Sequence, residues 1–421
     1  MPTRARRDII VVAALALAAN FAYLYFSNAN YFFPDSATYL APAHNMLHGR
    51  GFITSPGTPE VSRTPGYPLF LLPFLAATTS VVPILLIQHL LNAALAIAVY
   101  FFARRFSGGS RAAGLTAGII FALDLPSVHF ANKVLTETLF TSMLFALWAL
   151  VMRMRRTGAT TGALLLAGTL AGALVLVRPV AILYFAVPAF FLFWTGARRA
   201  AVFVLVALVI PIGWGVRNRV ESGAFTIASV AGTNMLLHRA APAISIWDDE
   251  DFQKDLVASQ AQLLEDAQDE ILEKEHVDSI EAVNSARIGQ YYGAIGRRIA
   301  LQHPVGLTLV VFRGIFTNLF DSDWQSLMVV SEVPSTVIEI AMNAAVPLVI
   351  AMAAIGVLAL RRRDALFGTL LAATIVYFIL LSAGSEAEAR FRVPVMPQIA
   401  IAAGVGVEAI RRGIREMVHA A

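Results

Sequence analysis

IIVVAALALAANFAYLYF, residues 9–26, is an apolar run of 18 residues without a charged side chain. A helix needs about 20 mostly apolar residues to cross the hydrocarbon core of a bilayer, so this run reads as a membrane span. Arg4, Arg6 and Arg7 precede it, as they would in a secretory leader. The apolar stretch is longer than a leader's, however, and no small-x-small cleavage site clearly follows, so it reads as a retained first helix. Directly after it comes SNANYFFPDSATYLAPAHNMLHGRGF, residues 27–52, a polar loop with an acid, Asp35, close to the membrane surface.

Working outward, the whole chain has the same character. Its 421 residues are 57% hydrophobic and 14% charged, where a soluble protein carries about 25% charged residues; mean hydropathy is +0.68. Cysteine is absent, which excludes disulfides and thiolate metal sites. The net charge is +4, but the basic residues fall in short clusters between apolar runs, which is a topology signal and implies no nucleic-acid partner. Nine more spans are expected at about 80–102, 112–127, 136–152, 161–177, 180–194, 200–216, 336–360, 366–383 and 393–410. Residues 69–77 and 305–320 are read as interfacial helices; counting them as crossings would make eleven or twelve spans. The expected fold is therefore an all-α polytopic membrane protein with about ten spans. The joints at 104–111, 153–156, 198–199 and 361–363 and the two termini hold 17 of the 32 Lys and Arg residues and would share one side. The positive-inside rule makes that side the cytoplasm.

Two long segments, 27–79 and 217–323, then lie outside, and loops of such length are usually functional. The domain reading is an N-terminal transmembrane module, 1–216, with its first external loop at 27–79. An external helical region with an interfacial helix follows at 217–335, and the C-terminal helices occupy 336–421. Between Asp248 and Glu281 there are thirteen Asp or Glu against Lys254 and Lys274. Phe252, Leu256, Leu263, Ala267 and Ile271 recur there at helical spacing, and Asp278 with Glu281 resembles a capping box opening a second helix through Tyr291, Ile295 and Ile299. This reads as a solvated helical cap. The stretch lacks the Asp-x-Asp-x-Asp-Gly spacing of a calcium loop, and no internal repeat of the transporter kind is apparent.

Ionisable residues gather at the external ends of the spans: Asp35, Arg63, Glu137, Arg178, Arg217 beside Asn218, and Glu386, Glu388, Arg390 and Arg392. Charge at the membrane edge is costly, so such convergence points to function. The segment PDSATYLAPAHNMLHGRGF followed by RTPGYPLFL resembles the first external loop of GT-C glycosyltransferases, in particular the bacterial branch of family 39, the protein mannosyltransferase and aminoarabinose transferase family. LTETLF, LVRPVA, WGVRNRVESGAFTIASVAGTNMLL and RFRVPVMPQIAIAAGVGV continue the resemblance in order along the chain.

The resemblance implies transfer of a sugar from a polyprenyl-phosphate donor to a glycan, glycolipid or protein acceptor on the external, periplasmic face of the inner membrane, with inversion. Asp35 would be the general base for the acceptor hydroxyl. The phosphate is already a good leaving group, so fixed cations serve it better than an acid, and arginine offers a permanently charged fork. Arg63 is the first candidate for that contact, then Arg217, Arg390 and Arg392; Tyr39, Tyr67, Glu137, Arg178 and Asn218 complete the expected substrate-binding set. The aminoarabinose transferases tend to carry a metal-holding acid just before the basic residue, where this chain has Ser62. Divalent-metal dependence stays open, with Glu60 the candidate ligand.

Plainer readings stand beside these. Asp35 as a helix cap, Arg63 as a headgroup anchor, Glu137 paired with Lys133, Arg178 snorkelling, and Arg390 and Arg392 paired with Glu386 and Glu388 are each consistent with the residues. His44 and His48 have i, i+4 spacing but lack the glutamate of an HExxH zinc site. Tyr23, Tyr25, Phe26, Tyr31, Phe32 and Phe33 read as an interfacial belt or as lining for a polyprenyl groove. The competing functions are an O-antigen polymerase or ligase, which would tolerate Asp35→Asn, and a lipid-linked glycan flippase or transporter, which would place charge near mid-membrane.

Overall fold

The last expected span is the axis of the fold. The structure, a computed structural model, describes residues 3–27, 29–55, 57–245, 252–329 and 335–420; Asp248, Asp249, Glu250 and Asp251 of the acidic stretch lie outside the described residues. Helix α18 (Met396–Ala420) packs against α4 (Val82–Phe106), α5 (Arg111–Ala122) and α16 (Ser335–Arg363). Its apolar window, with the 3-10 turn before it, is 83% buried inside the protein, against 17% for α16 and 22% for α1 (Thr3–Phe26), which leave most of their surface to lipid. Apolar surfaces gain little by meeting one another inside a bilayer, so helices associate there by close packing of small residues. The α16–α18 contact is of this kind: a Cβ on Gly356 would stand 1.8 Å from the Ala402 carbonyl oxygen, and one on Gly406 would stand 2.0 Å from that of Met352.

The ten expected spans all fall on helices. Six are long and apolar enough to cross a membrane: α1, α4, α7 (Glu137–Thr157), α10 (Ala197–Ser222), α16 and the segment containing α18. The span expected at 112–127 is a bent pair, α5 with α6 (Leu125–Ala131), broken by 48° at a point where Asp124 caps the second helix. The remaining three are shorter apolar helices: α8 (Thr161–Val177), the Pro179–Phe193 segment ending in α9 (Ala186–Phe193), and α17 (Ala365–Leu381). Residues 305–320 form α15 (Pro304–Phe320), which turns 104° from α14 (Ser285–Gln302). Length and apolarity alone therefore qualify six spans among the described residues, or eight when each bent pair counts as one.

The two ends of the bundle differ in charge. At one end Arg111 pairs with Asp8 at 2.7 Å and Arg155 with Asp364 at 2.8 Å, while Arg412 and Arg363 both donate to the Ser107 carbonyl. At the other end sit the loop after α1, with α2 (Ser36–Leu47), the ribbon β1 (Ile53–Ser55) and β2 (Thr58–Pro59), and α3 (Gly66–Ala77). The short helices α11 (Val230–Met235) and α12 (Ala241–Ser245) lead to α13 (Phe252–Glu275) and α14.

The apolar stripe expected in the acidic segment is present. Leu263, Ala267 and Ile271 of α13 bury themselves against Leu236, Val283, Tyr292 and Ile295. The expected capping box is not. Asp278 precedes and Glu281 lies within a separate 3-10 turn, Ile280–Ala282, capped by Ser279; the second helix starts later, where Asn284 accepts from the Ala286 amide at 2.8 Å. Two Ser/Asn cap signals lie within six residues, and the first is spent on the turn.

Candidate active site

Asp35 lies in the turn just before α2, but its side chain makes no capping bond to that helix. It instead receives Arg63 at 2.7 Å on Oδ1 and both terminal nitrogens of Arg390 at 3.4 Å on Oδ2. Arg390 continues through Nε to Glu137, and Glu137 Oε1 also accepts from Arg178 at 2.7 Å. Five charges thus form one line, Arg63–Asp35–Arg390–Glu137–Arg178, with one cation in excess. They arrive from distant elements: the loop before α3, the loop before α2, the 3-10 turn before α18, the first residue of α7 and the C-cap of α8. Each helix delivers its residue from its end, so the side chains meet where the spans stop.

Burial grades along the line. Glu137 is fully buried and Arg390 nearly so, while the Asp35 side chain keeps 31% exposure and Arg63 20%. The Asp35 end is the open one. Aromatic faces hold the cations: Arg63 lies 5.4 Å from the Tyr39 ring, and Arg390 lies 5.0 Å from Phe33 and 5.7 Å from Phe130. Tyr39 packs edge-on against Tyr67, and Tyr67 donates to Gln88 Oε1 at 2.7 Å; Gln88 in turn donates to the carbonyls of Ala131 and Lys133. Gln88 was not anticipated, although a polar residue inside the apolar run 80–102 is the signal that marks it. Phe33 and Phe130, the Arg390 supports, gave no signal beyond aromatic character.

Several simple pairings are replaced. Lys133 turns away from Glu137 and donates to the Asn30 carbonyl and amide oxygens. Glu386 pairs with Arg239 at 2.7 Å, so it takes neither Arg390 nor Arg392. Arg178 is partly buried and turned inward to an ion pair with Glu137, so it does not snorkel. Arg392 is 2% exposed and donates to the carbonyls of Asn318, Leu319 and Asp321, closing the C-terminal end of α15. Arg217 donates to the Glu60 and Phe52 carbonyls at 2.7 and 3.0 Å and rests on Trp214; Asn218 holds the Thr226 carbonyl at 2.8 Å. Arg217 thus fastens the end of α10 to the first loop, on which Arg63 rides, and Asn218 accepts from Arg217 at 3.0 Å. Glu60 Oε1 accepts from the Ser62 and Arg63 amides and the Ser62 hydroxyl, which shapes the turn presenting Arg63.

As a metal ligand Glu60 has no companions: among the described residues no three or more His, Asp or Glu side chains gather as a metal-holding group. The His48 ring bonds the His44 carbonyl at 2.7 Å.

The side chain of Glu388, two residues before Arg390, has no hydrogen-bond or ion-pair partner among the described residues. Burial pushes its carboxyl up to about 7; Arg390 lowers it, and Glu137, Asp323 and Asp321 raise it further. The folded protein then holds the Glu388 proton more tightly than the unfolded chain. Its contribution to stability is fully present below the ordinary carboxylate range and is lost as pH rises through about 7. Glu388→Gln is expected to melt near wild type at pH 4.5 and above it at pH 8, measured by thermal unfolding in detergent. Equal melting at pH 8 would show that Glu388 ionises freely.

The fold has known counterparts. Chains of the archaeal oligosaccharyltransferase AglB from Archaeoglobus fulgidus, solved with an inhibitory peptide and a dolichol-phosphate, align over 99% of this chain with a TM-score of 0.50 and 12% identity. The Archaeoglobus fulgidus oligosaccharyltransferase tethered to an acceptor peptide aligns over 98%, with a TM-score of 0.51 and 12% identity. This chain spans about half the length of those two, 51% and 50% respectively. ArnT from Cupriavidus metallidurans bound to undecaprenyl phosphate aligns more loosely, over 96% of this chain and 78% of its own, with a TM-score of 0.42 and 15% identity. The chain is thus a multi-pass membrane protein with the GT-C fold. No protein-family model and no curated protein sequence matches it.

Proposed function

We propose that this protein is a membrane glycosyltransferase that moves a sugar from a polyprenyl-phosphate donor to an acceptor hydroxyl, with Asp35 as general base. The observation that carries the reading is the line of five charges at the open end of a GT-C fold, with its acid most exposed and one positive charge to spare. A donor phosphate competes with Asp35 for Arg63 and Arg390. Once those guanidiniums turn to phosphate oxygens, Asp35 loses its partners and becomes free to take a proton. The acceptor oxygen then bonds to the anomeric carbon, the bond from that carbon to the phosphate oxygen breaks, and the hydroxyl proton passes to Asp35. Attack opposite the phosphate inverts the anomeric centre. Arg178 and Glu137 hold Arg390 in place, and Arg217, Asn218 and Glu60 hold the turn that presents Arg63.

The dolichol-phosphate in the AglB structure supports a lipid phosphate as ligand. The arginine-rich end would face the cytoplasm with both termini, and the charge line would face the periplasm. In domain terms, residues 1–216 would carry the catalytic loop, 217–335 the external cap and 336–421 the closing helices. Native mass spectrometry of the purified protein tests the phosphate contact. Undecaprenyl phosphate is expected to stay bound to wild type while undecaprenol does not, and Arg63→Gln should weaken the phosphate lipid about tenfold or more, the loss of one charged hydrogen bond. Equal retention of the alcohol and the phosphate would overturn it.

A further inference from the structure

A cavity lies beside the charge line, with a volume of about 360 Å³. That is within the range of pockets that hold small molecules. The end of α1, the loop after it, α6 and the 3-10 turn Trp324–Val329 enclose it, and none of the five charged residues lines it. Phe33 is common to both places: it lines the cavity and its ring carries Arg390 at 5.0 Å.

The lining is chemically unlike the charge line. Asp323 is the cavity's one carboxylate, and it is already satisfied by His129 at 2.8 Å and by the Ser326 hydroxyl. Lys133 spends two of its three N–H groups on Asn30 and keeps one. The nearby charges therefore nearly cancel, so the cavity suits an uncharged ligand better than a phosphate. Hydrogen-bonding capacity remains on Lys133, on Nε2 of His129, whose Nδ1 is the bonded nitrogen, and on the Gln325 amide. Phe32 and Phe33 add flat apolar faces, and Phe32 is 55% exposed. Flat apolar faces ringed by donors and acceptors match a pyranose, which has C–H faces and a rim of hydroxyls.

We propose that this cavity is a subsite for a neutral sugar unit of the acceptor, which makes the acceptor a glycan. The inference rests on the transferase reading for the word acceptor, but the sugar-binding property stands without it. Phe33, lining the cavity and holding Arg390, ties occupancy of the cavity to the arginine that grips Asp35.

The test replaces Phe32 with the photo-crosslinking residue p-benzoylphenylalanine in the full chain, expressed in its own cells, irradiated, purified and analysed by mass spectrometry. The same residue at Phe26, an exposed side chain at the end of α1, reports membrane lipid. The expected result is a neutral glycan adduct at position 32, reduced severalfold by Gln325→Ala. A polyprenyl phosphate, phospholipid or peptide adduct at position 32 would overturn the proposal, as would no adduct there while position 26 captures lipid. A glycan adduct in a protein whose loss leaves polyprenyl-linked sugars unchanged keeps the subsite and removes the transferase reading. A lipid adduct together with donor build-up does the reverse.

Discussion

Asp35→Asn is expected to lower sugar transfer by about 10²- to 10⁴-fold, the usual contribution of a positioned general base, while thermal stability changes little. The amide keeps an oxygen for Arg63, gives up the charge and the second oxygen that face Arg390 at 3.4 Å, and can no longer take the acceptor proton. Asp35 is also the most exposed acid of the charge line, so solvent screens much of what its charge adds to folding. Transfer assayed with purified protein, beside a melting curve, separates the two quantities. Unimpaired transfer would remove the base from Asp35 and favour a polymerase or ligase chemistry that needs no acid so soon after the first span.

Glu137→Gln is expected to act in the opposite way, through the fold. Glu137 is fully buried, and its Oε1 takes both Arg178 and Arg390. Removing that charge leaves Arg178 without a counter-ion and Arg390 with only Asp35, 3.4 Å away, and breaking a buried pair typically costs about 3–5 kcal/mol. A large drop in melting temperature should accompany lost transfer, and Arg390 should lose its hold on Asp35. Stability equal to wild type would mean that the two arginines find other partners. The two acids differ in burial, so the contrast between them assigns chemistry to one and support to the other.

The membrane fold was legible because most spans are continuous apolar runs, and helix ends that share a side bring their terminal residues together. Asp35, Arg63, Glu137, Arg178 and Arg390 could be nominated in this way. Their partners could not. Lys133 stands four residues before Glu137, an attractive spacing on a helix, but α7 begins at Glu137, so Lys133 lies in the turn before it and faces Asn30. Arg392 resembles Arg390 in sequence, yet successive residues of a 3-10 turn point in different directions. Arg390 reaches the acids and Arg392 reaches the end of α15. Arg217 looked like a phosphate ligand because nothing in sequence shows the carbonyls of Phe52 and Glu60 folding back onto it. The cavity combines residues from three separate stretches, and only the folded chain assembles them.

The central claim is tested most directly by mass spectrometry of envelope glycans and polyprenyl lipids. The cells compared lack this protein and are rescued with wild type or with Asp35→Asn. The account predicts loss of one sugar from a glycan and build-up of its polyprenyl-phosphate form, both reversed by wild type and neither by Asp35→Asn. Full rescue by Asp35→Asn, or altered polymer length with no donor accumulating, would contradict it.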